Sequence, residues 1–242
     1  MDKVKYKILV ISGKGGVGKT TVAINLAFVL SKKGFKVGLL DVDIHGPNVP
    51  EMLGLEDMAM ESKNNKMIPI NTGEGIKVIS MAFLLKKQDA AIWRGPMKHK
   101  VIQQFVEEVD WGPLDYLIID APPGTGDEVL SASQILKPIT GSVIVSMPQK
   151  ISLLDAGRSI DFSNKLEIPI IGLIENMSGD LFGKGRVEAF SDEERITFLG
   201  SLELDKAITK ANDEGIPFTK TNSKNTSSFN KITDKIVDYC EV

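Results

Sequence analysis

Cysteine is nearly missing from this chain. The single residue Cys240 among 242 excludes an intrachain disulfide framework. Histidine is almost as scarce, with only His45 and His99. They stand too far apart in sequence to suggest a metal site, and each reads as surface or structural. Strong charge of either sign is absent too. A formal net charge of −3 gives no general attraction to nucleic acid or anionic lipid, and neither is expected as a partner. No apolar run approaches the roughly 20 residues of a membrane span. The N-terminal Met1-Asp2-Lys3-Val4-Lys5 leads straight into a strand, leaving no room for a signal peptide, so the cytoplasm is the expected compartment.

What is present is ordinary for a globular chain, 42% hydrophobic and 25% charged. Continuous apolar runs recur over 7–12, 37–41, 116–120, 142–146, 168–175 and 197–202. Such runs read as strands buried on both faces, as in a parallel sheet. Helical stretches over 20–33, 96–109, 127–136 and 150–165 lie between most of them. Pro96 and Asp127 serve as start signals for two of these helices. Strands alternating with helices predict an α/β, doubly wound, mostly parallel sheet with helices on both faces. The expectation is one domain over 1–242, with 56–75 an excursion at the sheet edge and 178–196 a mobile loop. Met58, Met60 and Met67 read as gap-filling side chains of that excursion.

The most informative stretch is Gly13-Lys14-Gly15-Gly16-Val17-Gly18-Lys19-Thr20, directly after the apolar Ile8-Leu9-Val10-Ile11. It fits the phosphate-loop pattern G-x-x-x-x-G-K-[ST]. Its glycines let backbone N–H groups close on a phosphate, Lys19 can reach the β- and γ-phosphates, and the Thr20 hydroxyl can ligate Mg²⁺. Helical periodicity follows in Val22, Leu26, Val29 and Leu30, so the loop opens a helix whose positive end faces the anion. Phosphate chemistry also needs carboxylates at strand ends. Asp41 and Asp43 follow one apolar run and Asp120 another, and all three are expected to converge on the loop.

With its additional Lys14, Lys14-Gly15-Gly16-Val17-Gly18-Lys19-Thr20 resembles the deviant Walker A motif of the MinD/ParA-like P-loop ATPases. Further stretches resemble one branch, the Mrp-type (ApbC-like) iron–sulfur cluster carrier ATPases. These are Asp41-Val42-Asp43-Ile44-His45-Gly46-Pro47-Asn48, Trp93-Arg94-Gly95-Pro96-Met97, Asp115 to Asp120, Pro122-Pro123-Gly124-Thr125-Gly126-Asp127 and Glu175-Asn176-Met177-Ser178. The resemblance implies a slow, dimeric ATPase with ATP and Mg²⁺ as ligands. It places the nucleotide against Gly13, Lys14, Gly15, Gly16, Val17, Gly18, Lys19, Thr20 and Thr21. Asn176 would read the adenine, and Thr20, Asp43 and Asp120 would serve the metal. Asp43 would position the attacking water with Asp41 in support, and Lys14 would cross a homodimer interface to the partner's nucleotide. For Trp93 and Arg94, packing and a surface ion pair are as open as a functional role.

The chain departs from that branch after Ser178. The Cys-x-x-Cys pair normally found there is missing, although Phe182-Gly183 follows. Iron–sulfur clusters take about four soft ligands. No cluster ligands are therefore expected in this chain, Cys240 included. It lies in a helical apolar stripe with Phe229, Ile232, Ile236 and Val237, and reads as a core-facing thiol. Lys231 and Lys235 in that stripe are offset by Asp234, Asp238 and Glu241, so the basic bias of a membrane-surface helix is lacking. Two functions remain open. One is an ATP-hydrolysing switch in iron–sulfur protein maturation, served by apo-proteins or a cysteine-bearing scaffold. The other is a nucleotide-gated binding or scaffold protein of the MinD/ParA type with little hydrolysis.

Overall fold

The computed structural model describes residues 3–43, 46–64, 66–84 and 95–241, without the side chains of 95–99. The readings made for His45, Trp93 and Arg94, and for the side chain of His99, lie outside the described residues.

The apolar runs become the strands of one sheet. The chain forms β1 (Val4–Ile11), α1 (Lys19–Lys32), β2 (Val37–Asp41), a short α2 (Val49–Met52), β3 (Glu61–Lys63), β4 (Lys66–Ile68), β5 (Ile70–Asn71) and β6 (Lys77–Ser80). It continues through α3 (Gly95–Glu107), β7 (Leu114–Asp120), α4 (Asp127–Ile135), β8 (Gly141–Ser146), α5 (Lys150–Lys165) and β9 (Ile170–Ser178). The last elements are α6 (Arg186–Glu194), β10 (Phe198–Glu203), α7 (Lys206–Asp213) and α8 (Thr226–Glu241). The main sheet has eight strands in the order β10-β9-β8-β1-β7-β2-β6-β5, and β5 alone runs antiparallel to its neighbour. Strand β1 sits between β7 and β8, where the winding changes direction, and in open α/β sheets the crevice at that point takes the ligand.

Period-two alternation divides the core into two layers. From β1, Ile8 and Val10 face one layer, packed with α1, α8 and Ala211 of α7. Leu9 and Ile11 face the other, built with Phe105 of α3, Val129 of α4, Ile160 of α5 and Val187 of α6. Both sheet faces are covered, which is why the strands read as unbroken apolar runs rather than alternating ones. Removing a fully buried side chain such as Leu9 or Ile118 (both 0% exposed) costs about 2–5 kcal/mol. Among the described residues no helix is long and apolar enough to cross a membrane.

Three local expectations need correction or detail. The stretch 178–196 is not one loop: after the turn following Ser178 it forms α6, and the Glu175 carboxylate accepts from the N–H groups of Gly185 (2.9 Å) and Val187 (3.0 Å) at that helix's N-terminus. The stretch 56–75 holds the β3–β4 hairpin, a two-stranded sheet of its own, and the edge strand β5. Met60 and Met67 pack partly buried against the second core layer, whereas Met58 is 51% exposed and fills no gap. Strand β6, pairing with β2, extends the sheet beyond the strands read from sequence.

Candidate functional site

The turn from β1 into α1 is fixed on both sides. Hydrogen bonding of β1 to β7 and β8 determines where Ser12 leaves the sheet. Ser12 then donates through Oγ to the Lys14 carbonyl (2.9 Å) and accepts from the Gly124 N–H (2.8 Å). Gly16 and Gly18 adopt φ of +78° and +85°, the left-handed geometry that turns N–H groups inward. Gly18 caps α1, whose first turn holds no acidic residue, so the positive helix end stays uncompensated and open to an anion. Close approach also demands glycine here. A Cβ on Gly13 would lie 2.1 Å from the Asp155 carbonyl oxygen of α5, and one on Gly18 would lie 2.1 Å from Asn176 Nδ2.

Beneath the loop, the first turn of α1 meets the end of β7. Lys19 Nζ lies 2.6 Å from Asp120 Oδ1, and Thr20 Oγ1 donates to Asp120 Oδ2 at 2.8 Å. Lys19 is 6% and Asp120 1% exposed, so this is a buried, charge-assisted contact. Asp41 stands opposite Asp120 in the β2–β7 register. Its Oδ2 accepts from Ser80 Oγ (2.7 Å) and its Oδ1 from the Asp43 N–H (3.1 Å). Burial first, then the charge of Asp120, pushes the Asp41 carboxyl up to about 8, against the pull of Ser80 and Lys19. Burial likewise raises Asp120, opposed chiefly by Lys19. Asp43 is buried, and its Oδ1 accepts from the Gly46 N–H (3.2 Å).

This pocket gathers the carboxyl groups of Asp41, Asp43 and Asp120 near one lysine, and an added cation would favour their ionised forms. Among the described residues, no three His, Cys, Asp or Glu side chains are grouped so as to hold a metal by themselves. Thr20 and Asp120 nevertheless present adjacent hard oxygen donors. That suits Mg²⁺, which commonly takes one or two protein ligands and completes its shell with phosphate oxygens and water. Of the three residues expected around the metal, the structure brings Thr20 and Asp120 into contact. Asp43 stands beside them through Asp41.

Asn176 reaches the loop from β9, its Nδ2 donating to the Val17 carbonyl at 2.8 Å. Lys14 is half-buried within the loop. Thr21, also expected at the nucleotide, accepts through its hydroxyl from Asn212 Nδ2 of α7 (3.1 Å). Cys240 is buried on the core face of α8, and burial together with Glu241 pushes its thiol up to about 11. Its charged neighbour Lys5 lies near the start of β1 and Ser12 just past its end, so about 23 Å of strand separates the thiol's end of the sheet from the loop. No role for Ser80, Glu175 or Asp155 follows from the sequence, although Glu175 opens the family-like stretch Glu175-Asn176-Met177-Ser178. The run Ile76 to Met81 ending in a polar strand terminus could have exposed Ser80, but the other two act through contacts that only the fold creates.

A family model described as ParA, NUBPL iron-transfer P-loop NTPase, matches residues 3–237. An iron–sulfur cluster carrier protein of Methanocaldococcus jannaschii is 46% identical over 252 residues, covering 100% of this chain and 87% of that protein. A cytosolic Fe-S cluster assembly factor NUBP2 homologue of Dictyostelium discoideum is 44% identical, covering 90% of this chain and 88% of that protein. Among solved structures, a nucleotide-binding protein of Archaeoglobus fulgidus in complex with ADP superposes with a TM-score of 0.80 at 36% identity, covering 91% of this chain and 90% of its own. The cell division ATPase MinD of Pyrococcus furiosus shares the fold, with a TM-score of 0.77 at 24% identity over 97% of this chain and 99% of its own.

Proposed function

This chain belongs to the ParA family of NUBPL iron-transfer P-loop NTPases, and on that footing we propose that it binds and hydrolyses ATP as a cytoplasmic homodimer serving iron–sulfur protein maturation. The observation that carries this reading is the meeting of Lys19 and Thr20 with Asp120 directly under the glycine loop. Asp120 accepts from both groups. With ATP bound, Lys19 would reach the β- and γ-phosphates, and Thr20 and Asp120 would hold Mg²⁺. The bound ion supplies neutralisation of phosphate charge. Asp43 orients the attacking water, Asp41 supports it through the Asp43 N–H, and Asn176 reads the adenine edge. The γ-phosphoryl group passes to water, giving ADP and phosphate.

Lys14 completes the site from the second copy, in the manner of an arginine finger, an effect worth roughly 10³–10⁵ in rate in other P-loop enzymes. Exposed apolar residues beside the loop support such a face. Ile151 and Leu154 lie on α5, whose Asp155 abuts Gly13, and Leu181 follows the β9 turn; they are 64%, 61% and 73% exposed. A cluster is cargo here rather than a resident group. A buried thiol raised to about 11 is protonated at neutral pH and makes a poor ligand, so the thiolates come from an apo-protein or a cysteine-bearing scaffold.

The test is phosphate release beside ATP binding, for wild type and Asp43→Ala. The expected variant binds ATP with near-normal affinity and loses turnover by at least about 100-fold. Equal loss of both would remove the water-positioning role. Normal binding with no wild-type turnover would make the chain a nucleotide-gated binding protein instead.

A further inference from the structure

Asn176 reaches the phosphate loop because the end of β9 leaves its ladder. Ser201 of β10 stands opposite Glu175, but the next partners are Glu203 and Ser178, so two residues of β9, Asn176 and Met177, face the single Leu202. This is a β-bulge, a device that re-aims a side chain. Met177 takes φ +57°, a left-handed conformation that a side-chain-bearing residue keeps only when its surroundings impose it.

The surroundings are largely one side chain. Glu175 is 1% exposed and accepts three hydrogen bonds. Its Oε1 takes Ser178 Oγ (2.7 Å) and the Gly185 N–H (2.9 Å), and its Oε2 takes the Val187 N–H (3.0 Å). The first of these bonds spans the bulge, joining the residues on either side of Asn176-Met177. The other two anchor the bulge to the N-terminus of α6. Ser178 is held from the opposite side as well, its carbonyl accepting from the Leu204 N–H at 2.9 Å.

We propose that Glu175 is a positioning residue for Asn176 and thereby sets the preference for adenine over guanine, an inference that rests on the adenine-reading role given to Asn176 above. The Asn176 amide is oriented by its bond to the Val17 carbonyl, and its backbone by the bulge. Its oxygen can accept from the exocyclic amino group of adenine, whereas guanine presents a carbonyl oxygen there, acceptor against acceptor. A bulge that sags removes this discrimination through Asn176, whose hydrogen bond to the glycine loop goes to the Val17 carbonyl and not to an N–H that closes on phosphate.

The experiment measures Kd for ATP, GTP and inorganic triphosphate on wild type, Glu175→Gln, Ser178→Ala and Asn176→Ala. Glutamine keeps the shape of Glu175 but loses its charge and sets an NH₂ group against N–H donors. The expected result is a fall of about tenfold in the ATP-over-GTP ratio for Glu175→Gln, a smaller fall for Ser178→Ala, and unchanged triphosphate affinity in both. A purely structural role would weaken all three ligands together, and that result overturns the proposal. If Asn176→Ala loses discrimination while Glu175→Gln and Ser178→Ala retain it, the proposal fails and the adenine reading stands. A wild type without base preference overturns both. Should Glu175→Gln not fold, Ser178→Ala decides: an unchanged ratio overturns the proposal, and a reduced ratio with intact triphosphate binding supports it.

Discussion

Replacing Asp41 with asparagine should make the nucleotide-free protein less sensitive to pH. Asp41 is 0% exposed, and burial with the neighbouring Asp120 charge raises its carboxyl from 3.8 to about 8. Between those values the folded protein holds a proton that the unfolded chain has released, so stability is greatest at the acid end and falls as pH rises toward 8. The slope for one such group is about 1.4 kcal/mol per pH unit. From pH 6 to 7.5 Asp41 alone therefore removes about 2 kcal/mol, a large share of a typical folding free energy. Asparagine keeps the oxygen that accepts from the Asp43 N–H and sets an amide against Ser80 Oγ, which can accept, so the site keeps its contacts and loses its titration. Urea unfolding of wild type and Asp41→Asn, without Mg²⁺ or nucleotide, measures the difference. Wild type should lose about 2 kcal/mol more than the variant between pH 6 and 7.5. Equal losses would show that Asp41 does not carry a buried proton.

Lys19→Ala removes the cation that faces the buried Asp120. It should cost about 3–5 kcal/mol in urea unfolding of the nucleotide-free protein and also abolish ATP binding. Anaerobic reconstitution with iron and sulfide, followed by desalting, should leave wild type and Cys240→Ala equally short of a full cluster, because the raised thiol lies at the far end of β1 from the loop. Stoichiometric iron lost in the variant would make Cys240 a ligand.

The site was legible wherever its chemistry sits on consecutive residues. The glycine loop, Lys19 and Thr20 declare themselves by spacing. Asp41 and Asp120 declare themselves by closing apolar runs, and the β2–β7 register sets those two side by side. What stayed hidden depends on contacts across the chain. The glycines at 179, 183 and 185 and the charges after them suggest a loop, yet α6 forms there because a buried carboxylate from β9 caps it. Strand β6 is short and follows a Gly-rich turn, so its apolar run carried little weight, and with it went Ser80, the hydrogen-bond partner of Asp41. Gly13 looked like part of a phosphate cradle, and it also allows α5 to approach the loop.

An ATPase completed by a second copy needs Lys14 and Asp43 from different protomers at each site, and mixing two variants separates the two contributions. Lys14→Ala and Asp43→Ala are each expected to be inactive as homodimers. In a mixed dimer, the Lys14→Ala protomer keeps its own Asp43 and receives Lys14 from its partner, which restores one site of the two. Random pairing of equal amounts makes half the dimers mixed, so phosphate release should recover to about one quarter of the wild-type rate. A mixture as inactive as its separate components would contradict a Lys14 that acts across the dimer.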